Sequence, residues 1–312
     1  ILGPIEFSAF AIAAVCRDFS VCFLDKAFRD ILVSRHASFD LLVKSVRQLL
    51  FLLGLILGVG LILIAPYLAN LEGQSVVKNL IYIIALLPLL RGLSVIPRSR
   101  LLVEMQFHYV AFAESIGITI HLLMAITMAY FGAGAWSLVV PLPVAAAVRA
   151  ILFLVFSSRC KREFRIKKLE ESEKIIKSLV KDAAPLASSA LAVWGRTGAD
   201  KIVLASVLGP ASLGAYFFAF QLVNQPLHII CNNFQQVLLP ALAKIENFSG
   251  RVKALNRALQ VVGLIVIPVS LVQAVLIEPG LSLLFGSRWE EAVRPLEIMS
   301  IGSCFIFANS FI

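Results

Sequence analysis

Charge is scarce in this sequence, and acid is scarcer than base: charged residues make up 15% of the 312, with 19 Asp and Glu against 28 Lys and Arg. So little charge cannot coat a soluble globule, where about a quarter of residues are charged. The five cysteines, Cys16, Cys22, Cys160, Cys231 and Cys304, are odd in number and scattered. That excludes a disulfide framework and gives no zinc-ligand spacing. Nowhere do basic residues interleave with aromatics in one patch, so the formal net charge of +9 does not point to nucleic acid. No stretch has the make-up of a cleavable signal peptide. No cofactor and no metal are expected.

What the chain has is apolar length. It is 59% hydrophobic with a mean hydropathy of +0.90, and uncharged runs of about 20 residues recur, the span of a bilayer core. Nine segments are read, at about 5–24, 46–68, 76–96, 108–130, 135–156, 184–207, 211–239, 258–277 and 293 to the end. Basic residues fill alternate connections: 26–47, 98–100, 159–181 and 244–257. The turns between are neutral or acidic, so the positive-inside rule places the basic set in the cytoplasm. The fold class expected is an all-α polytopic membrane protein. Because the chain opens at Ile1 without Met and closes within an apolar run at Ile312, it is read as a piece cut at both ends, with a helix expected before Leu2. Residues 159–181 alternate Lys and Arg with Phe164, Ile166, Leu169, Ile175, Ile176 and Leu179, which predicts an interfacial amphipathic helix. Gly54 and Gly58 have the spacing that lets helices approach closely.

The stretch from Ala184 to Leu239 is the most informative. Its first half carries Arg196, Asp200 and Lys201 in an apolar run, and its second carries Gln221, Asn224, Gln225, His228, Asn232 and Gln235. The six recur every three or four residues, so a helix gathers them in one stripe. In hydrocarbon such a stripe faces protein or water: it either lines a hydrated path or glues helices together. Pro226 within it is a candidate kink.

An internal repeat is read from two anchors. Leu2-Gly3-Pro4 recurs as Leu208-Gly209-Pro210, and Ile64-Ala65-Pro66 is echoed by Ile277-Glu278-Pro279, each of these prolines followed by Gly seven residues later, Gly73 and Gly286. The repeat spans an even number of helices, so both halves point the same way, an arrangement that sets a substrate site between halves.

These residues resemble the polysaccharide and O-antigen flippases of the multidrug/oligosaccharidyl-lipid/polysaccharide exporter superfamily. The matching features are Leu2-Gly3-Pro4 with Glu6-Phe7, Ile96-Pro97-Arg98 with Glu104 and Phe107, Gly132-x-Gly134-x-Trp136-Ser137-Leu138-Val139, Asp200-Lys201 before Leu208-Gly209-Pro210, and Phe285-Gly286-x-x-Trp289. The resemblance implies two pseudo-symmetric bundles of six helices, a central cavity and alternating access. It implies an undecaprenyl-pyrophosphate-linked oligosaccharide as substrate, and a bacterial inner-membrane location. Polysaccharide polymerase and export machinery are then the expected partners. On it, residues 1–157 are the N-terminal bundle without its first helix, 158–183 a basic linker, and 184–312 an incomplete C-terminal bundle. Ser8 departs from the Gly the family would place there.

Arg196 lies about twelve residues from the Gly209 turn, roughly 18 Å into the membrane, and Arg17 lies at a similar depth from Gly3. A mid-membrane arginine costs at least ~2.5–3.5 kcal/mol. Both are therefore expected to face a cavity and hold the pyrophosphate; the alternative for Arg17 is pairing with Asp18. Asp200 and Lys201 are either the coupling-ion relay or a structural pair with another helix. The stripe residues Gln221, Asn224, Gln225, His228 and Asn232 are candidates for the sugar path. Glu114, His121 and Arg149 read as isolated intramembrane polar groups. Two rivals remain. A drug/cation antiporter of the same superfamily would favour acidic cavity residues. A membrane-embedded polymerase would need catalytic groups at the outer turns, which are short and hold no cluster beyond Glu278, Glu290 and Glu291; no enzyme is expected.

Overall fold

The computed structural model describes residues 2–21, 24, 28, 32, 39–159, 188–189, 191–192, 194–196, 198–243 and 247–306. The expected amphipathic helix at 159–181 lies outside them apart from its first residue. Among the described residues everything regular is helical: α1 (Pro4–Val21), α2 (Phe39–Glu72), α3 (Ser75–Ile84), α4 (Leu87–Val103), α5 (Phe107–Tyr130), α6 (Trp136–Val139), α7 (Pro141–Ser158), α8 (Pro210–Ala243), α9 (Phe248–Phe285), a 3-10 turn (Ser287–Trp289) and α10 (Glu290–Ile306). Residues 198–207 form a further helical stretch.

Among the described residues five stretches are long and apolar enough to cross a membrane: Val46–Leu71, Ser75–Val103, Phe107–Tyr130, Trp136–Ser158 and Ser249–Leu283. With them, the chain is an all-α polytopic membrane protein. α1 carries Glu6, Arg17 and Asp18 in its 18 residues; α8 is lowered by its amides; α10 has 17 residues. The helices overrun the apolar segments at their basic ends: α2 begins at Phe39 and α9 at Phe248, since a helix that has crossed the bilayer needs no apolar residues to continue. Asn247 starts α9, its side-chain oxygen accepting from Ser249 N–H at 3.1 Å. The span expected at 76–96 is broken at Ala85–Leu86. Pro88 stands at the start of α4 and can supply no N–H to Ile84.

The neutral turns share one device. Among the described glycines positive φ occurs at Gly73, Gly132, Gly134, Gly209 and Gly286, all of them in those turns, where a left-handed residue ends a helix. At Gly73 and Gly132 the closing pair of backbone bonds is complete: Gly73 N to Asn70 O and Gln74 N to Ala69 O at 3.3 Å, Gly132 N to Ala129 O at 3.1 Å and Ala133 N to Met128 O at 3.0 Å. The repeat anchors also correspond: Pro66 lies inside α2 and Pro279 inside α9, with Gly73 (φ 69°) and Gly286 (φ 73°) beyond them.

By their contacts the described residues form two units, one of Ala9–Gly209 and one of Gly3–Ser8 with Pro210–Ile312. The division falls at the Gly209 turn, and Trp194 and Gly198 before it pack on α1. In the first unit α2 crosses the 85–92 region almost backbone to backbone. A Cβ at Gly54 would lie 3.2 Å from Pro88 O, one at Gly58 2.9 Å from Ala85 O, and one at Gly92 3.3 Å from Leu50 O. Gly58→Leu is therefore expected to destabilise this unit by about 1–3 kcal/mol through overpacking, read as a lowered melting temperature in detergent. Gly60, which has open space around it, is the control position.

In the second unit the first turn of the chain is a packing element. Pro4 opens α1, and Glu6 folds back so that its Oε2 accepts from Gly3 N–H at 2.8 Å, half of a capping box. Gly214 has no Cβ because Pro4 lies against it. Phe7 then meets Phe218 and Trp289 edge-on, with centroids 5.5 and 5.1 Å apart.

Candidate functional site

Two groups of charged side chains stand out among the described residues of the first unit. On α1, Arg17 turns back on its neighbour: Nε and Nη2 each reach Asp18 Oδ1 at 2.8 Å, which leaves Nη1 of the fork for another acceptor. The guanidinium also sits 5.9 Å from the Phe10 ring. Trp194 fixes the next segment against this helix, donating Nε1–H to Val15 O at 3.0 Å and meeting Phe19 at 5.0 Å. Gly198 lets the two backbones close, since a Cβ there would touch Val15 and Trp194 at 3.4 Å. Trp194, Gly198, Lys201 and Ala205 are spaced along one helical face, and the last three are buried. Lys201 is carried inward by that face: its side chain is 5% exposed, with Nζ 3.5 Å from Asp200 Oδ1. Asp18 acts on it electrostatically as well. Adjacent residues project about 100° apart on a helix and need not pair; here they do, through the long reach of lysine. Arg196, two positions from Trp194, is exposed.

The second group joins α4, α5 and α7. Glu114 bridges two arginines, Oε1 to Arg98 Nη2 at 3.1 Å and Oε2 to Arg149 Nη1 at 3.5 Å. Arg149 reaches it across Gly117, where a Cβ would come within 2.5–2.7 Å of the arginine stem. Arg98 lies 5.9 Å from the centre of Phe153, itself 2% exposed. His121, one further turn along α5, has Nδ1 buried without a hydrogen-bond partner and lies within electrostatic reach of Arg149 and Arg17. In the sequence Glu114, His121 and Arg149 stand as single residues. A signal was present: Arg98, Glu114 and Arg149 all fall about 8–14 Å from the basic ends of their helices, and opposite charges at one depth are candidates to pair.

In the second unit, Gln221 and Asn224 are half-buried and Gln225 is exposed. Asn224 spends an amide hydrogen on its own helix, Nδ2 to Phe220 O at 2.8 Å. The side chains of His228, Asn232 and Gln235 lie outside the described residues. Among the described residues, no three His, Cys, Asp or Glu side chains gather as a metal site would require.

A bundle of apolar helices with ion pairs between them is the frame of a polytopic membrane protein rather than of a soluble fold. The family model for polysaccharide biosynthesis proteins matches residues 1–294, and the chain belongs to that family. It is similar to the succinoglycan biosynthesis transport protein ExoT of Rhizobium meliloti (strain 1021), 26% identical over 303 residues, which are 96% of this chain and 60% of that protein. It is also similar to the lipopolysaccharide biosynthesis protein WzxC of Escherichia coli (strain K12), 25% identical over 226 residues, 69% of this chain and 45% of the relative. The chain thus spans about half to three-fifths of the length of these relatives. No solved structure matches it significantly.

Proposed function

We propose that the chain is part of a transporter that flips undecaprenyl-pyrophosphate-linked oligosaccharide across the bacterial inner membrane for polysaccharide export, working by alternating access. The observation that carries this reading is paired ionisable side chains inside apolar segments, Arg17 with Asp18 and Lys201 with Asp200, in a member of a polysaccharide biosynthesis family. Charge in such segments is retained where it meets a ligand or an ion. In this reading Arg17 and Arg196 hold the pyrophosphate, the guanidinium fork matching two phosphate oxygens. The half-buried Lys201–Asp200 pair is the coupling element, since a change of its charge state is felt across the Trp194 contact with α1. Amides of α8, Gln221 foremost, offer donors and acceptors to sugar hydroxyls, together with Gln225, His228 and Asn232.

Full-length protein in proteoliposomes, loaded with fluorescent undecaprenyl-pyrophosphate-linked oligosaccharide, tests this. Wild type should flip the lipid, and Arg17→Ala and Arg196→Ala should each slow flipping at least about tenfold, as loss of a charge-assisted contact of about 1.5–3 kcal/mol implies, with protein still in the membrane. Unchanged flipping by Arg196→Ala removes that residue from the site. Cation-coupled drug efflux without lipid flipping would favour the antiporter, in which Asp18 and Asp200 take the leading roles.

A further inference from the structure

α8 keeps its helical path through Pro226. Proline has no N–H, so the carbonyl four residues earlier, on Leu222, loses its intrahelical donor. In hydrocarbon an orphaned acceptor must be satisfied from elsewhere. A second helix does this: Gln273 on α9 donates Nε2–H to Leu222 O at 3.1 Å. Gln273 also walls a cleft of about 420 Å³ whose other lining is Pro226, Pro268, Val269 and Val272. Pro268 interrupts the bonding of α9 as Pro226 does that of α8. Two weakened helix positions thus face one unfilled space, and the bond from Gln273 spans the helices beside it. Close-packed interiors resist bending; among the described residues this cleft is left open beside both prolines.

We infer that Gln273 is a releasable clasp on a proline hinge. With its amide on the Leu222 carbonyl, α8 is held to α9; when the amide withdraws, the carbonyl passes to water or a hydroxyl and α8 is free to change its bend at Pro226. The clasp stands on this geometry alone. Only the use of the bend during transport rests on the proposed function.

The test is a double-substitution cycle on full-length protein in lipid nanodiscs, read as melting temperature. Gln273→Leu should lower it by about 1–4 °C, the scale of one interhelical bond. In a Pro226→Ala background the same change should move it by under about 1 °C, because an N–H at position 226 then takes the Leu222 carbonyl. Gln273→Asn, polar but one methylene short, should behave as Gln273→Leu. An equal shift in both backgrounds, no shift in the native background, or a native-like Gln273→Asn overturns the clasp. In the flipping assay Pro226→Ala should slow transport at least about tenfold. If the melting cycle behaves as expected while flipping by Pro226→Ala is normal, the hinge has no part in transport. If wild type flips nothing, the transport reading fails and the melting cycle still decides the clasp.

Discussion

Glu114→Ala should cost the first unit about 3 kcal/mol and leave most of the expressed protein aggregated when it is extracted from the membrane. Truncating the carboxylate takes a shared acceptor from Arg98 and Arg149, which approach it from two other helices at 3.1 and 3.5 Å. Breaking a buried ion pair on one side costs about 3–5 kcal/mol, because the remaining charge loses its ionic partner. The lower end applies here, as the three side chains are 14–27% exposed. The mechanism predicts a rescue that simple loss of packing does not. Removing all three charges, with Glu114→Leu, Arg98→Met and Arg149→Met together, should restore a monodisperse protein with a near-native melting temperature, since apolar replacement of a whole buried ion group is often neutral. Fluorescence-detected size exclusion and melting curves measure both. A triple variant as unstable as Glu114→Ala would mean that the ion group does not act as a unit.

Why this cluster escaped the sequence, while the turns did not, is a matter of what helical periodicity encodes. A turn is local: a glycine at the end of an apolar run is enough to place the left-handed residue, and Gly73, Gly132, Gly209 and Gly286 stood where the runs stopped. The Gly54–Gly58 spacing likewise declares a close approach, and the approach is there, against Ala85 and Pro88. Periodicity also gives the face on which a side chain lies, so Lys201 could be placed inside a helix. It does not name the partner helix. Glu114 is 16 residues from Arg98 and 35 from Arg149 in sequence, and only the packing of α4, α5 and α7 makes them neighbours. The clasp by Gln273 is hidden for the same reason: Pro226 announces an orphaned carbonyl at Leu222, but the donor comes from 51 residues away. Nine segments read as spans, and among the described residues five stretches meet the demands of length and hydropathy; the segments at 5–24, 184–207 and 211–239 carry the charges and amides read as candidates for function.

Trp289→Ala should be the most damaging single change in the second unit, costing about 3–5 kcal/mol, the range for removing a buried Trp or Phe. Trp289 is 3% exposed, and four aromatic contacts tie its neighbourhood together: Phe218 to Trp289 at 4.0 Å, Phe218 to Phe285 at 5.2 Å, and Phe7 to both Phe218 and Trp289. Gly286 makes this possible. Its φ of 73° ends α9 and turns the chain into the short Ser287–Trp289 helix, which returns Trp289 beneath the helix it has just left. The two motifs at opposite ends of the sequence, Glu6-Phe7 and Phe285-Gly286-x-x-Trp289, are thus halves of one packing unit. That has a measurable consequence. Because Phe7 and Trp289 touch, Phe7→Ala and Trp289→Ala should not add: the double variant is expected to be less destabilised than the sum by about 0.5–1.5 kcal/mol, the worth of one edge-to-face aromatic pair. Trp289→Phe should keep most of the stability and most of the coupling. Melting curves of the four proteins supply the cycle, and strict additivity would show that the first turn of α1 is held by its Glu6 cap and the Pro4–Gly214 contact rather than by the aromatic cluster.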